Sequence, residues 1–168
     1  EEGVYATTNE AERRALHAAA LEYWRAAPAG EGVAARVARH AEAVGERAIA
    51  AAAFALIGEH AHAQHREIDA DQAWEGALRN LDPGDPQQPR ALLGRAGARY
   101  RMQRRVEALA DLDRVVELAI AAGDVALEVE ALLEQSTVQD WIGDFEHSRA
   151  SAELAKQRVA LANGAVGL

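Results

Sequence analysis

The sequence predicts an all-α protein, a right-handed superhelix (solenoid) of antiparallel helical hairpins with about eight helices, and three observations carry that prediction. Segments of the chain overlay on one another at a spacing of about 38 to 40 residues, as stacked helical hairpins do. Roughly a quarter of the 168 residues is alanine, the strongest helix former, while aromatic residues make up only 5%. A core of that composition consists of closely approaching helices, not of large side chains. Valine and isoleucine are scattered, so no run alternates over the length of a strand.

The first segment carries Phe54, Ile57, Gly58 and Ala61 on one helix and Ala70, Trp74 and Ala77 on the next, closed by Pro83. Leu92, Ala96, Ala108, Leu112 and Val115 take the matching places in the second, and Leu132, Ser136, Ser148, Ala152 and Ala155 in the third. Small residues recur at Gly58, Ala96 and Ser136 on one side and at Ala70, Ala108 and Ser148 on the other. A large side chain at those points would hold the two helices of a hairpin apart. Trp74 occupies a large inward position and is expected in the core.

Taken in order, the helices begin and end on local signals. Thr7 or Asn9 caps the first, with Glu10 or Glu12 as reciprocal partner in a capping box, and Pro28 to Gly32 ends it. The second covers about Val33 to Val44 and stops at Gly45, suited to a left-handed C-terminal residue. The third runs from about Arg47 to Ala63 and the fourth from Asp69 to Leu81. Asp82-Pro83-Gly84-Asp85-Pro86 is the strongest turn signal, because two prolines and a glycine cannot continue a helix. The fifth helix spans about Pro89 to Met102 and the sixth Val106 to Ala122. Gly123-Asp124 closes the sixth and caps the seventh, Val125 to Ile142, and Gly143-Asp144 repeats the device before the eighth, Phe145 to Ala162. Residues 1–45 thus form an N-terminal helical pair, 46–162 three hairpins, and 163–168 a tail.

The register of small residues resembles the tetratricopeptide repeat, whose first helix has a small residue at its eighth position and whose second has them at the twentieth and twenty-seventh. The match covers roughly residues 46 to 162. Arg95 and Gln135 stand where that family usually has leucine, and Val115 where it has alanine. Tyr5, Glu12-Arg13-Arg14-x-Leu16-His17 and Ala38-Arg39-His40-x-Glu42-Ala43-x-Gly45 also resemble the joint between an ATPase module and helical repeats in bacterial regulators of the maltose-activator type and in repeat-bearing serine/threonine kinases. The chain opens at Glu1, its only methionine being Met102, and both ends look cut from such a larger protein. The sequence holds neither a GxxxxGK[ST] phosphate loop nor a kinase catalytic loop.

The resemblance implies that positions two, five, nine, twelve and thirteen of each first helix line the concave face. Those positions hold Glu59 and His62, then Arg90, Leu93, Tyr100 and Arg101, then Glu130, Leu133, Thr137, Asp140 and Trp141. Leu93, Gly97, Leu133 and Thr137 replace the set with which chaperone-binding members clamp a C-terminal carboxylate. The expected ligand is a segment with apolar and acidic groups, the latter meeting Arg90 and Arg101. An indole at Trp141 or a phenol at Tyr100 either packs on a neighbouring helix or presents itself to a ligand.

Composition excludes several classes. A formal charge of −9 disfavours a nucleic-acid surface, where clustered cations supply most of the affinity. No cysteine is present, so disulfide frameworks, thiolate metal sites and cysteine nucleophiles are out. Neither a membrane span nor a signal peptide stands out, and a cytoplasmic, bacterial setting is expected. His60, His62 and His65 crowd one helix end, but at about 100° per residue His60 and His62 point to nearly opposite sides. Glu59-x-x-His62 and Asp144-x-x-His147 have di-iron spacing without the four mid-helix carboxylates such a site needs. Gly94-Arg95-Ala96-Gly97 lacks a preceding strand, and Ser136, Ser148 and Ser151 read as packing residues. The like-charge pairs Glu107/Asp111 and Glu130/Glu134 read as solvated faces. The expectation is a non-catalytic module without metal or cofactor, holding a peptide, a protein or another domain of its parent. The alternative is a sensor with a small-molecule effector in its groove.

Overall fold

The computed structural model describes residues 9–28 and 30–165. Among them the chain forms eight α-helices and no strand: α1 Glu10–Arg25, α2 Glu31–Val44, α3 Arg47–Ala63, α4 Glu67–Asn80, α5 Gln88–Arg101, α6 Arg105–Ala122, α7 Val125–Ile142 and α8 Phe145–Ala165. This is the all-α helical-repeat architecture that the sequence predicts. Asn9 is the cap of α1, its side chain accepting from the Glu12 amide at 2.8 Å while the Glu12 carboxylate accepts from the Asn9 amide at 3.1 Å. Thr7, the other expected cap, lies outside the described residues. Helix α4 starts at Glu67, two residues before the expected Asp69, and α8 runs past Ala162.

The chain divides into two compact units at Asp82 and Pro83, inside its strongest turn signal. The N-terminal unit holds α1 to α4, each packed on the next. Leu21, Ala41 and Ala50 are buried together, with Val37, Val44, Ile49 and Phe54 around them. In the α3–α4 hairpin, glycine sets the spacing. A Cβ at Gly58 would stand 2.7 Å from the Trp74 ring, and one at Gly76 2.8 Å from Phe54, so each glycine seats an aromatic ring of the facing helix. Trp74 is buried, as expected.

The C-terminal unit packs α5 on α6, α6 on α7 and α7 on α8. Ala96, Ala108, Leu112, Val115, Ala131, Leu132, Val138 and Ala155 form its interior. Ala70, Ala108 and Ser148 are all buried at their repeat-equivalent places.

The backbone repeats as well. Each hairpin closes through a residue of positive φ, His65 at 58°, Gln103 at 65° and Gly143 at 81°. At each closure the following amide donates back five residues, Arg66 to Ala61, Arg104 to Arg99 and Asp144 to Gln139, all at 2.9 Å. The same bond closes α2 at Gly45 (Glu46 to Ala41) and α6 at Gly123 (Asp124 to Ala119). This is the left-handed termination that satisfies the orphan carbonyls of a helix end. The sequence marks it where glycine is present and hides it at His65 and Gln103.

Candidate functional site

Helix α7 carries four acidic residues and neither lysine nor arginine. Leu127, Glu128, Ala131, Leu132, Gln135 and Val138 face inward, and the remaining side is a continuous exposed stripe. Glu130, Leu133, Glu134, Thr137, Asp140 and Trp141 recur at the three- and four-residue spacing of one helix face. Leu133 is 50% and Trp141 64% exposed, so both stand in solvent as apolar groups. The five α7 residues expected on a binding wall thus share one face.

On α5, Arg90 and Arg101 are exposed and Leu93 and Tyr100 half-buried. The Arg90 guanidinium donates to the Glu130 carboxylate at 2.7 Å, which ties α5 to α7 at the same place of successive repeats. The cation expected to meet an acidic ligand therefore already has an anionic neighbour. Glu59 and His62 belong to the N-terminal unit. Glu59 is exposed, and the His62 ring lies 2.7 Å from the Glu67 carboxylate.

Beneath the stripe, the two departures from leucine are accounted for. Arg95 reaches across its hairpin to Asp111 with a two-pronged contact of 2.6 and 3.0 Å, and Arg99 meets the same carboxylate at 2.9 Å. The Asp111 side chain is 6% exposed, which corrects its reading as part of a solvated face. A carboxylate withdrawn from water needs such partners. Gln135 donates to Asp113 at 2.6 Å and, deeper still, Glu128 accepts from Arg158 at 2.7 Å. An arginine at an inward position was the one sequence signal for a buried acid on the facing helix.

Other features at this end escaped the sequence reading. Ile142 is 45% and Phe145 66% exposed beside Trp141, around a turn held by Gly143. Asp144 caps α8 by accepting from the His147 amide at 3.3 Å and from the His147 ring at 2.8 Å. Those hydrogen bonds hold the Asp144 carboxyl below its usual range, and the bond to Asp144 raises the pKa of His147. In the N-terminal unit, Trp24, Val33, Val37, Ile49, Ala52 and Leu56 contribute to an open apolar pocket of about 460 Å³ between α1, α2 and α3. The Arg36 guanidinium stacks 4.3 Å from the Trp24 ring centre. Among the described residues no three His, Cys, Asp or Glu side chains stand together as a metal-binding set, and no helix is long and apolar enough to cross a membrane.

No family model matches this chain. No curated protein matches it either. Among solved structures it is similar to the crystal structure of BtubC (BKLC) from P. vanneervenii, at 16% identity and a TM-score of 0.60, over 92% of this chain and 75% of that one. At that identity the likeness concerns the fold alone.

Proposed function

We propose that this chain is a non-catalytic interaction module of the tetratricopeptide kind, holding a peptide or protein segment along the exposed faces of α5 and α7. The carrying observation is the α7 stripe, where Leu133 and Trp141 remain in solvent although the helix has a complete inward face. Large apolar side chains left exposed together on a rigid helix are the usual anchors of a protein interface. The parent is read as a cytoplasmic bacterial signalling protein, and the partner as another protein or another of its domains. Neither nucleic acid nor membrane belongs to this reading, and the chain turns over neither nucleotides nor esters.

The test is selection of binding peptides from a displayed library against the full chain. The selected peptides should lose about 1 to 2 kcal/mol of affinity on Trp141→Ala or Arg101→Ala, with the thermal melt unchanged. Binders that ignore both changes and respond only to substitutions on the α6 and α8 outer faces would remove the reading.

A second reading, a sensor for a small apolar effector, is favoured by the pocket beside Trp24, whose volume falls in the range of ligand sites. An effector held there should shift Trp24 emission and raise the melting temperature, and both effects should vanish with Leu56→Arg.

A further inference from the structure

The three hairpin closures are built to one backbone plan, so their side chains can be compared place by place. At the second closure the flanking residues are Arg101, Met102 and Arg105, and at the first Ala63, Gln64 and Glu67. The third has Trp141, Ile142 and Phe145 in those places, exposed by 64%, 45% and 66%. A turn that closes equally well with arginine or glutamate does not need three large apolar residues in water. They also lie on a fixed backbone, since Gly143 terminates α7 and Asp144 caps α8, so little loop entropy remains to be lost on docking. Acids surround them at Asp140, Asp144 and Glu146, with Glu134 about two turns back along α7. The cationic groups of the same stretch are Arg149, one turn into α8, and His147, whose ring is hydrogen-bonded to Asp144 at 2.8 Å and whose pKa that bond raises.

We propose that the α7–α8 closure docks a basic amphipathic protein segment, whose aliphatic side chains cover Trp141, Ile142 and Phe145 while its lysines or arginines meet Asp140, Asp144 and Glu146. This goes beyond the interaction reading above: it shares only Trp141 and Asp140 with the α5–α7 wall and takes a segment of the opposite charge. The acids select the occupant. They repel the phosphates of nucleic acid and of anionic lipid, and they disfavour the equally acidic surface of a second copy.

The experiment uses the full chain and two synthetic amphipathic peptides with the same leucine spacing, one with lysine and one with glutamate at its polar positions. The lysine peptide should bind and the glutamate peptide should not. Phe145→Ser or Ile142→Ser should weaken the lysine peptide about tenfold without altering the melt. The triple change Asp140→Asn, Asp144→Asn, Glu146→Gln should weaken it and flatten its salt dependence. Glutamine at Glu22, Glu117 and Glu153, also exposed acids, should leave binding intact. Equal binding of the glutamate peptide, equal loss with the control triple, indifference to Phe145→Ser, capture by anionic vesicles, or self-association that Phe145→Ser abolishes would each overturn the proposal. Leu133→Ser places the lysine peptide. Loss with Phe145→Ser alone assigns it to the closure, whereas loss with Leu133→Ser alone moves it to the α5–α7 wall and overturns the proposal; the wall reading itself stands or falls on the selected library peptides.

Discussion

The Ser136 hydroxyl lies 3.0 Å from the Ser148 hydroxyl, joining the two small-residue positions of the α7–α8 hairpin across its helix contact. The contact is close enough for two short side chains to bond directly. At the same places of the α3–α4 hairpin stand Gly58 and Ala70, both buried, and there Gly58 seats the Trp74 ring.

Enlarging either side of such a contact should be costly. Ala108→Leu is expected to destabilise the chain by about 1 to 3 kcal/mol through overpacking, read from urea unfolding. Gly58→Ala should fall in the same range, because its Cβ would meet the rigid indole at 2.7 Å. An unchanged midpoint for both variants would mean that the hairpins are not in this register.

The left-handed closures predict the opposite sign. Gln103 holds φ at 65° without being glycine, so Gln103→Gly is expected to stabilise by up to ~1 kcal/mol. Gly143→Val should destabilise at the equivalent place. Stabilisation by the valine would refute the conformational argument.

Asp111 supports two arginines whose side chains are each 14% exposed. Asp111→Ala leaves those guanidinium groups without their common carboxylate and should cost about 3 to 5 kcal/mol. Arg95→Leu, which restores the residue usual in the resembled family, should cost much less. A calorimetric series in which the two variants melt alike would show that the pair contributes no more than packing.

Acid sensitivity is expected at Glu42. Burial by itself would raise its carboxyl, but hydrogen bonds from Asn80 and Arg79 and the Arg79 charge outweigh it and hold the pKa below the usual value. A lowered folded-state pKa gives stability that is complete above the unfolded value and is lost as pH falls through the folded one. Glu42→Gln should therefore flatten the acid limb of melting temperature against pH between about 5 and 3. An acid limb as steep as the parent's would assign the effect to other carboxylates.

Much of the fold was legible because its signals are local and repeat. Gly45, Gly123 and Gly143 end their helices where they were expected to, each in the left-handed conformation, and Asn9 with Glu12 forms the expected box. The α7 part of the candidate surface was legible too, since one helical face follows from spacing alone. The pairing of Arg90 with Glu130 was not, because it joins two helices through residues 40 positions apart.

The amino-acid sequence determined the helices, their caps, the repeat and the places of closest approach, for each is set by periodicity or by residues a few positions apart. Only the tertiary structure decided which charges are buried, as at Asp111, which non-glycine residues carry the left-handed turns, and which apolar side chains stay in water, as at Ile142 and Phe145. Those outcomes depend on what lies opposite a side chain after the helices have packed. A residue's own neighbours in the chain do not encode that.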